Sequence, residues 1–201
     1  AATTVASTIS IASKFQIRFF ATGGIGGVHL NAENTNDVSA DLYALSENSN
    51  FVICSGAKSI LDLSKTNELL ETLGITRIGY QTNYMPGFWY EETENKVDNK
   101  FDEIHEISSF LKLNENMGNK KSILIFNKVP LEKALNKNEV EKWINNATIK
   151  ADRNNIIGKE LTPFLIKEIN EQSKNETLNA NVSLIINNAN LAGKIAKSFY
   201  S

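Results

Sequence analysis

The sequence predicts an α/β fold, a mainly parallel sheet flanked by helices (α/β/α), in a single domain over residues 1–201. Short strand-like runs alternate along the chain with longer amphipathic segments, the pattern of a parallel sheet covered by helices. The first two runs, Ile17–Ala21 and Phe51–Cys54, each lead into a loop of small residues that carries ionisable groups. In open α/β sheets, ligands bind beyond the carboxyl ends of the strands.

Taken in order, Thr3 and Thr4 are caps for a helix to about Ser13, with Val5, Thr8, Ile9 and Ala12 on one face. Ile17–Ala21 is the first strand, and Gly23, Gly24, Gly26 and Gly27 follow it. Asp41–Ser46 has the pattern of one or two helical turns, and Phe51–Cys54 is the second strand. Over Ser59–Leu73, Ile60, Leu61, Leu63, Leu69, Leu70 and Leu73 give helical periodicity, and Gly74 stops it. Arg77–Tyr80 is a third strand. Asn83–Tyr90 (NYMPGFWY) is an aromatic loop around Pro86-Gly87, suited to closing over a site. Lys96–Asn99 is a polar hinge. Asp102–Met117 is a helix with Ile104, Ile107, Phe110 and Leu111 inward, and Ser122–Phe126 is the fourth strand. Lys137–Lys150 repeats Val140, Trp143, Ile144 and Ala147 at helical spacing. Thr162-Pro163 reads as a cap and a first-turn proline opening a helix to about Glu171, and Leu178–Phe199 is the last helix. The Lys/Asn-rich Asn114–Lys121 and Asn170–Thr177 read as loops.

A net charge of −2 argues against a nucleic-acid polymer or an anionic membrane as the main partner. No apolar run approaches the length of a membrane span. Cys54 is the only cysteine, so no intrachain disulfide forms, and a reducing compartment, the cytoplasm, is expected. As part of a strand, Cys54 reads as a small core hydrophobe rather than a nucleophile.

Chemistry concentrates in Ala21–Leu61. The glycine run permits positive φ, close approach of backbone to a ligand, and an anion-binding concavity of N–H groups. It is neither dinucleotide fingerprint nor phosphate loop: His29 stands where G-x-G-x-x-G needs its third glycine, and Gly56-Ala57-Lys58-Ser59 lacks the upstream glycine of G-x-x-x-x-G-K-[ST]. Lys58, between a strand and a helix and flanked by small residues, is placed to lose its proton by desolvation and attack a carbonyl carbon. The alternative is a solvated lysine at a helix start, where the helix dipole disfavours a cation. Asp37 and Asp41 could form an oxygen site for a hard divalent ion, but a capping aspartate beside a solvated one is the preferred reading. His29 is a phosphate ligand, an acid/base or a core histidine, whereas His105 belongs on the surface. Phe88 and Trp89 are candidates to line a pocket, and Trp143 for the core. Amides are poor helix formers, so the density of Asn181, Asn187, Asn188 and Asn190 in the last helix suggests that one of them faces a ligand.

The stretches TTVAST, FFATGGIGGVH, DVSADL, CSGAKSILD, IGYQTNYMPGFW, GKELTPFL and NANVSLIINNANLA resemble, in order and from end to end, the indigoidine synthase A-like family of pseudouridine-5′-phosphate glycosidases. The resemblance implies reversible cleavage of a C–C glycosidic bond to uracil and ribose 5-phosphate through a lysine imine. The family's lysine matches Lys58 and its manganese-binding aspartate Asp37. Its substrate contacts match Val5, Ser39, Ala40, Asp41 and Asn181, while Thr22 and His29 fall where the ribose phosphate is expected. A homotrimer is also implied. Leu30 stands where the family commonly has arginine after the histidine. The resemblance covers roughly the family's last two-thirds. It leaves upstream of Ala1 a proton-donating glutamate and another lysine, which a separate N-terminal fragment would have to supply. Another Schiff-base lyase or aldolase on a sugar phosphate, or an inactive structural module, is the alternative.

Overall fold

The computed structural model describes residues 3–201, apart from the side chain of Lys159. Its centre is a five-stranded, wholly parallel sheet of β1 (Phe19–Ala21), β2 (Phe51–Cys54), β3 (Thr76–Tyr80), β4 (Asn99–Phe101) and β5 (Ile123–Phe126), in the order β1-β2-β5-β3-β4. β2 and β5 lie inside the sheet and are buried along their whole length. Successive strand side chains point to opposite faces, and two separate cores result. Val52, Cys54, Leu124 and Phe126 face one, while Phe51, Ile53, Ile123 and Ile125 face the other.

The smaller core is closed by α5 (Ile104–Asn116), through Ile107 and Leu111, and by the later turns of α8 (Glu176–Tyr200), through Leu191, Ile195 and Phe199. The larger core takes α1 (Val5–Lys14), α3 (Ala40–Glu47), α4 (Leu63–Thr72), α6 (Lys137–Arg153), α7 (Leu161–Gln172) and the first half of α8. A single turn, α2 (Ala32–Thr35), lies between β1 and α3. Ile9 of α1 is fully buried; a side chain so placed contributes about 1.5–3 kcal/mol. Thr4 caps α1 by accepting from the Ser7 N–H. No helix among the described residues is long and apolar enough to cross a membrane.

The structure corrects several boundaries. Ile17 is exposed and lies outside β1. β4 was hidden in and beyond the predicted hinge at Lys96–Asn99, because an exposed edge strand reading Asn-Lys-Phe shows no apolar pattern. α4 starts at Leu63, where Asp62 accepts from the Lys65 N–H, so Lys58 is not at a helix start. Ile60 and Leu61 are buried instead beside the glycine segment, with Leu61 bridged to His29. α7 begins at Leu161 out of a 3₁₀ turn, so Thr162 is not its cap and Pro163 is the third helical residue. Proline is tolerated there because first-turn N–H groups have no intrahelical acceptor. The predicted loop at Asn170–Thr177 shrinks to Ser173–Asn175, between α7 and α8.

Candidate functional site

β1 and β2 end side by side, and the loops that follow them are laced together. The Ile25 N–H donates to the Gly56 carbonyl at 3.0 Å and the Lys58 N–H to the Ile25 carbonyl at 3.1 Å. A cavity of about 430 Å³ opens above these loops. α1 supplies Val5 to its wall, the loops Thr22, Gly23, Gly24, His29 and Lys58, α3 and its cap Asp41 and Ser39, and α8 Asn181. The fold thus gathers seven of the nine expected site residues, from positions 5 to 181. Lys58 is the one lysine or arginine among the described residues of the wall, and its ammonium makes no hydrogen bond or ion pair among them.

The glycines turn out to serve packing. None of the four has a positive φ. A Cβ on Gly24 would lie 2.7 Å from the Phe88 ring, one on Gly26 2.2 Å from Ser39 Oγ, and one on Gly27 2.4 Å from Thr66 Oγ1. The N–H groups of Ile25, Gly26, Val28 and His29 are also bonded internally. Gly23 and Gly24, both on the cavity wall, have amides that make no such bond among the described residues.

Asp41 does not cap α3; Ser39 does, accepting from the Asp41 N–H at 3.2 Å. The Asp41 carboxylate is buried and ties two elements to α3: Oδ1 accepts from the Ala6 N–H and Oδ2 from the Gly26 N–H, each at 2.8 Å. Ala40 is exposed and outside the wall. Asp37 is also outside it, in an adjoining cavity of about 840 Å³ that shares His29, Ile60 and Thr162 with the first. Its Oδ2 is 3.9 Å from His29 Nδ1, so His29 stands at the boundary of the two spaces. Among the described residues no group of three or more His, Cys, Asp or Glu side chains could hold a metal. The Asp37 carboxylate, partly exposed and accepting no hydrogen bond among them, nevertheless fits a hydrated magnesium or manganese ion, which needs only one or two carboxylates and keeps several waters.

The amides of α8 divide by depth. Asn181 reaches the cavity, Asn188 is fully buried and pins the helix to Thr22 O (2.8 Å) and Asn127 (3.0 Å), and Asn187 donates to Lys128 O at 3.1 Å. Phe88 lines the cavity as expected, whereas Trp89 is covered and reaches it only through Asn181. His105 is exposed, and Trp143 packs against the core while partly covered. Cys54 is fully buried, and burial pushes its thiol up to about 12, as befits a core residue. Thr162, Leu184 and Ile185 also line the cavity. Nothing in the sequence marked them as wall residues, because the spacing within a helix does not tell which neighbour it meets.

A parallel α/β sheet with a lysine-bearing cavity beyond the carboxyl ends of its strands defines a class of proteins, within which the chain can be placed. It belongs to the indigoidine synthase A-like family, whose model matches residues 1–198. It is 47% identical over 99% of its length to the pseudouridine-5′-phosphate glycosidase of Petrotoga mobilis, and 42% identical over 98% to that of Escherichia coli. It spans only 65% and 64% of those relatives. Among solved structures it superposes on the prealnumycin C-glycosynthase AlnA in complex with ribulose 5-phosphate, with a TM-score of 0.93 and 33% identity, covering 98% of this chain and 65% of that one. An indigoidine synthase A-like protein from Thermotoga maritima gives a TM-score of 0.88 and 36% identity, covering 98% and 64%.

Proposed function

We propose that this chain carries the nucleophile and most of the substrate cavity of a pseudouridine-5′-phosphate glycosidase, which reversibly splits the bond between ribose C1′ and uracil C5. The observation that carries the reading is Lys58: an amine without a partner among the described residues, in a cavity beside the free glycine amides and Asn181. An oxocarbenium route is poor here, because uracil carbon is a weak leaving group. With the ribose ring opened and Lys58 Nζ bonded to C1′, the nitrogen lone pair forms a C=N bond as C1′–C5 breaks. The released electron pair goes to uracil C5, which takes up a proton. Water then adds to the imine carbon and expels the Lys58 amine, leaving ribose 5-phosphate as its aldehyde. The acid that protonates C5 is not assigned to a residue of this chain.

In this reading Thr22, His29 and the Gly23 and Gly24 amides hold the phosphate, and Asn181, Val5 and Ser39 surround the rest of the substrate; that all of them line one cavity with Lys58 supports it. A divalent ion, manganese or magnesium, would be held by Asp37; when bound it supplies positive charge that orders and polarises substrate oxygens. The family resemblance supports a homotrimer, and the single buried thiol supports a reducing compartment, the cytoplasm.

Borohydride reduction in the presence of ribose 5-phosphate tests the reading. A sugar adduct is expected on Lys58, and none in Lys58→Arg. An adduct mapped to another lysine would remove the assignment. Another Schiff-base lyase would give the same adduct but release no uracil from pseudouridine 5′-phosphate, so uracil release separates the two.

A further inference from the structure

We infer that Trp89 is a positioning residue for Asn181, holding its amide so that the NH2 group faces the cavity as a donor to a carbonyl or phosphate oxygen of the substrate. This rests on the reading of the cavity as a sugar-phosphate site. The Trp89 indole N–H lies 2.8 Å from Asn181 Oδ1. An indole nitrogen is a donor only, so the amide must turn its oxygen to Trp89 and its nitrogen away. That nitrogen makes no hydrogen bond among the described residues, and Asn181 lines the cavity. A site that offers N–H groups is matched by a ligand rich in acceptors, which uracil carbonyls and a phosphate both are.

Trp89 can act as a fixed reference because its own place is over-determined. It is 2% exposed. The Leu135 N–H donates to its carbonyl at 2.8 Å. Ser59, the neighbour of Lys58, donates its hydroxyl to the Gly87 carbonyl at 2.6 Å, and the Trp89 N–H approaches the same Ser59 Oγ at 3.4 Å. Between them Phe88 takes a φ of +68°, a region bulky side chains rarely adopt, with its ring over Gly24. Backbone in such a region persists only where its surroundings enforce it, and it clusters at functional sites. The nucleophile's loop and the α8 amide are therefore referenced to one aromatic segment.

The test is a double-mutant cycle in the complete gene product, read as Kd for pseudouridine 5′-phosphate, ribose 5-phosphate and uracil. Trp89→Phe keeps an aromatic ring and removes the donor; it is expected to weaken binding by about 3–10-fold, the worth of one ordered neutral hydrogen bond. Asn181→Ala is expected to cost at least as much, and Trp89→Phe made on top of it to cost nothing further. A loss seen with uracil alone places the acceptor on the base, and one seen with ribose 5-phosphate alone places it on the sugar phosphate; either supports the inference. Asn181→Asp does not disturb the buried tryptophan. It keeps an acceptor for the indole but replaces the donor, so it should bind substrate poorly at unchanged thermal stability. Additive losses of Trp89→Phe and Asn181→Ala, or wild-type affinity in Asn181→Asp, overturn the positioning role while leaving the functional reading intact. A wild-type protein that binds none of the three ligands overturns the functional reading, and the positioning role with it.

Discussion

Two ionisable residues on one cavity wall have opposite surroundings. Asp41 is buried and accepts two backbone N–H groups, whereas the Lys58 ammonium has no partner among the described residues. Asp41→Ala would strip both donors of their partner, and charge-assisted bonds of this kind are worth about 1.5–3 kcal/mol each. A loss of about 3–6 kcal/mol in urea unfolding is expected; lost binding at unchanged stability would instead make Asp41 purely a ligand contact. Lys58→Ala removes no hydrogen bond of its side chain among the described residues, so it should fold normally and lose turnover; an active Lys58→Ala protein would end the imine reading. Asp37→Asn should weaken manganese or magnesium binding, followed by titration calorimetry, with little change in thermal midpoint, because its carboxylate accepts no hydrogen bond among the described residues. A large drop in midpoint would show that Asp37 serves the fold. The position of Lys58 at a cavity was legible from its small neighbours and its place after a buried strand. The anchoring role of Asp41 was not: its partners, Ala6 and Gly26, offer backbone amides, which leave no trace in side-chain pattern.

The regular elements were legible where burial imposes a pattern. β2 and β5, buried throughout, appear as apolar runs, while β4, paired only to β3 at the sheet edge, does not. Periodicity also overran at Ser59–Asp62, because Ile60 and Leu61 are buried by the glycine segment rather than by a helix face. The glycine run was conspicuous, yet its reason lay in other elements, since Ser39 and Thr66 pack where side chains would stand. Gly26→Ala is therefore an element-scale test. Its Cβ would press on Ser39 Oγ and on Asp41 Oδ2, 2.9 Å away, forcing the start of α3 from β1's loop. Overpacking of this kind costs about 1–3 kcal/mol, to be read from the urea midpoint. Gly118→Ala, where no atom lies within 4 Å but φ is +77°, supplies the comparison: its loss should stay near 1 kcal/mol and leave ligand affinity unchanged. Equal effects on affinity in the two variants would show that the glycine segment does not shape the site.

At the scale of the whole molecule, the larger core contains two groups that titrate only at high pH. Burial lifts the Cys54 thiol from about 9 to about 12. Burial, with the Glu141 and Glu94 carboxylates beside it, lifts the Tyr90 phenol from about 10 to about 12. Unfolding returns both to ordinary values. Below about pH 9 both states hold these protons, and neither group makes stability depend on pH. Between about 9 and 12 the unfolded chain releases protons that the folded one retains. The unfolded state then binds fewer protons, so the stability of the fold falls as pH rises. Each pKa unit corresponds to about 1.4 kcal/mol, which makes the combined loss several kcal/mol by the top of that window. Urea unfolding at pH 8, 9, 10 and 11 should show a plateau followed by a steepening decline. Cys54→Ala should be less stable at pH 8, through the small cavity it leaves, yet decline less steeply above pH 9. A thiol reagent at pH 8 should label Cys54 at the rate at which the core opens and immediately in urea. A slope unchanged by Cys54→Ala, or fast labelling of the folded protein, would show that the carboxyl end of β2 is open to water, contrary to the full burial of Phe126 beside it.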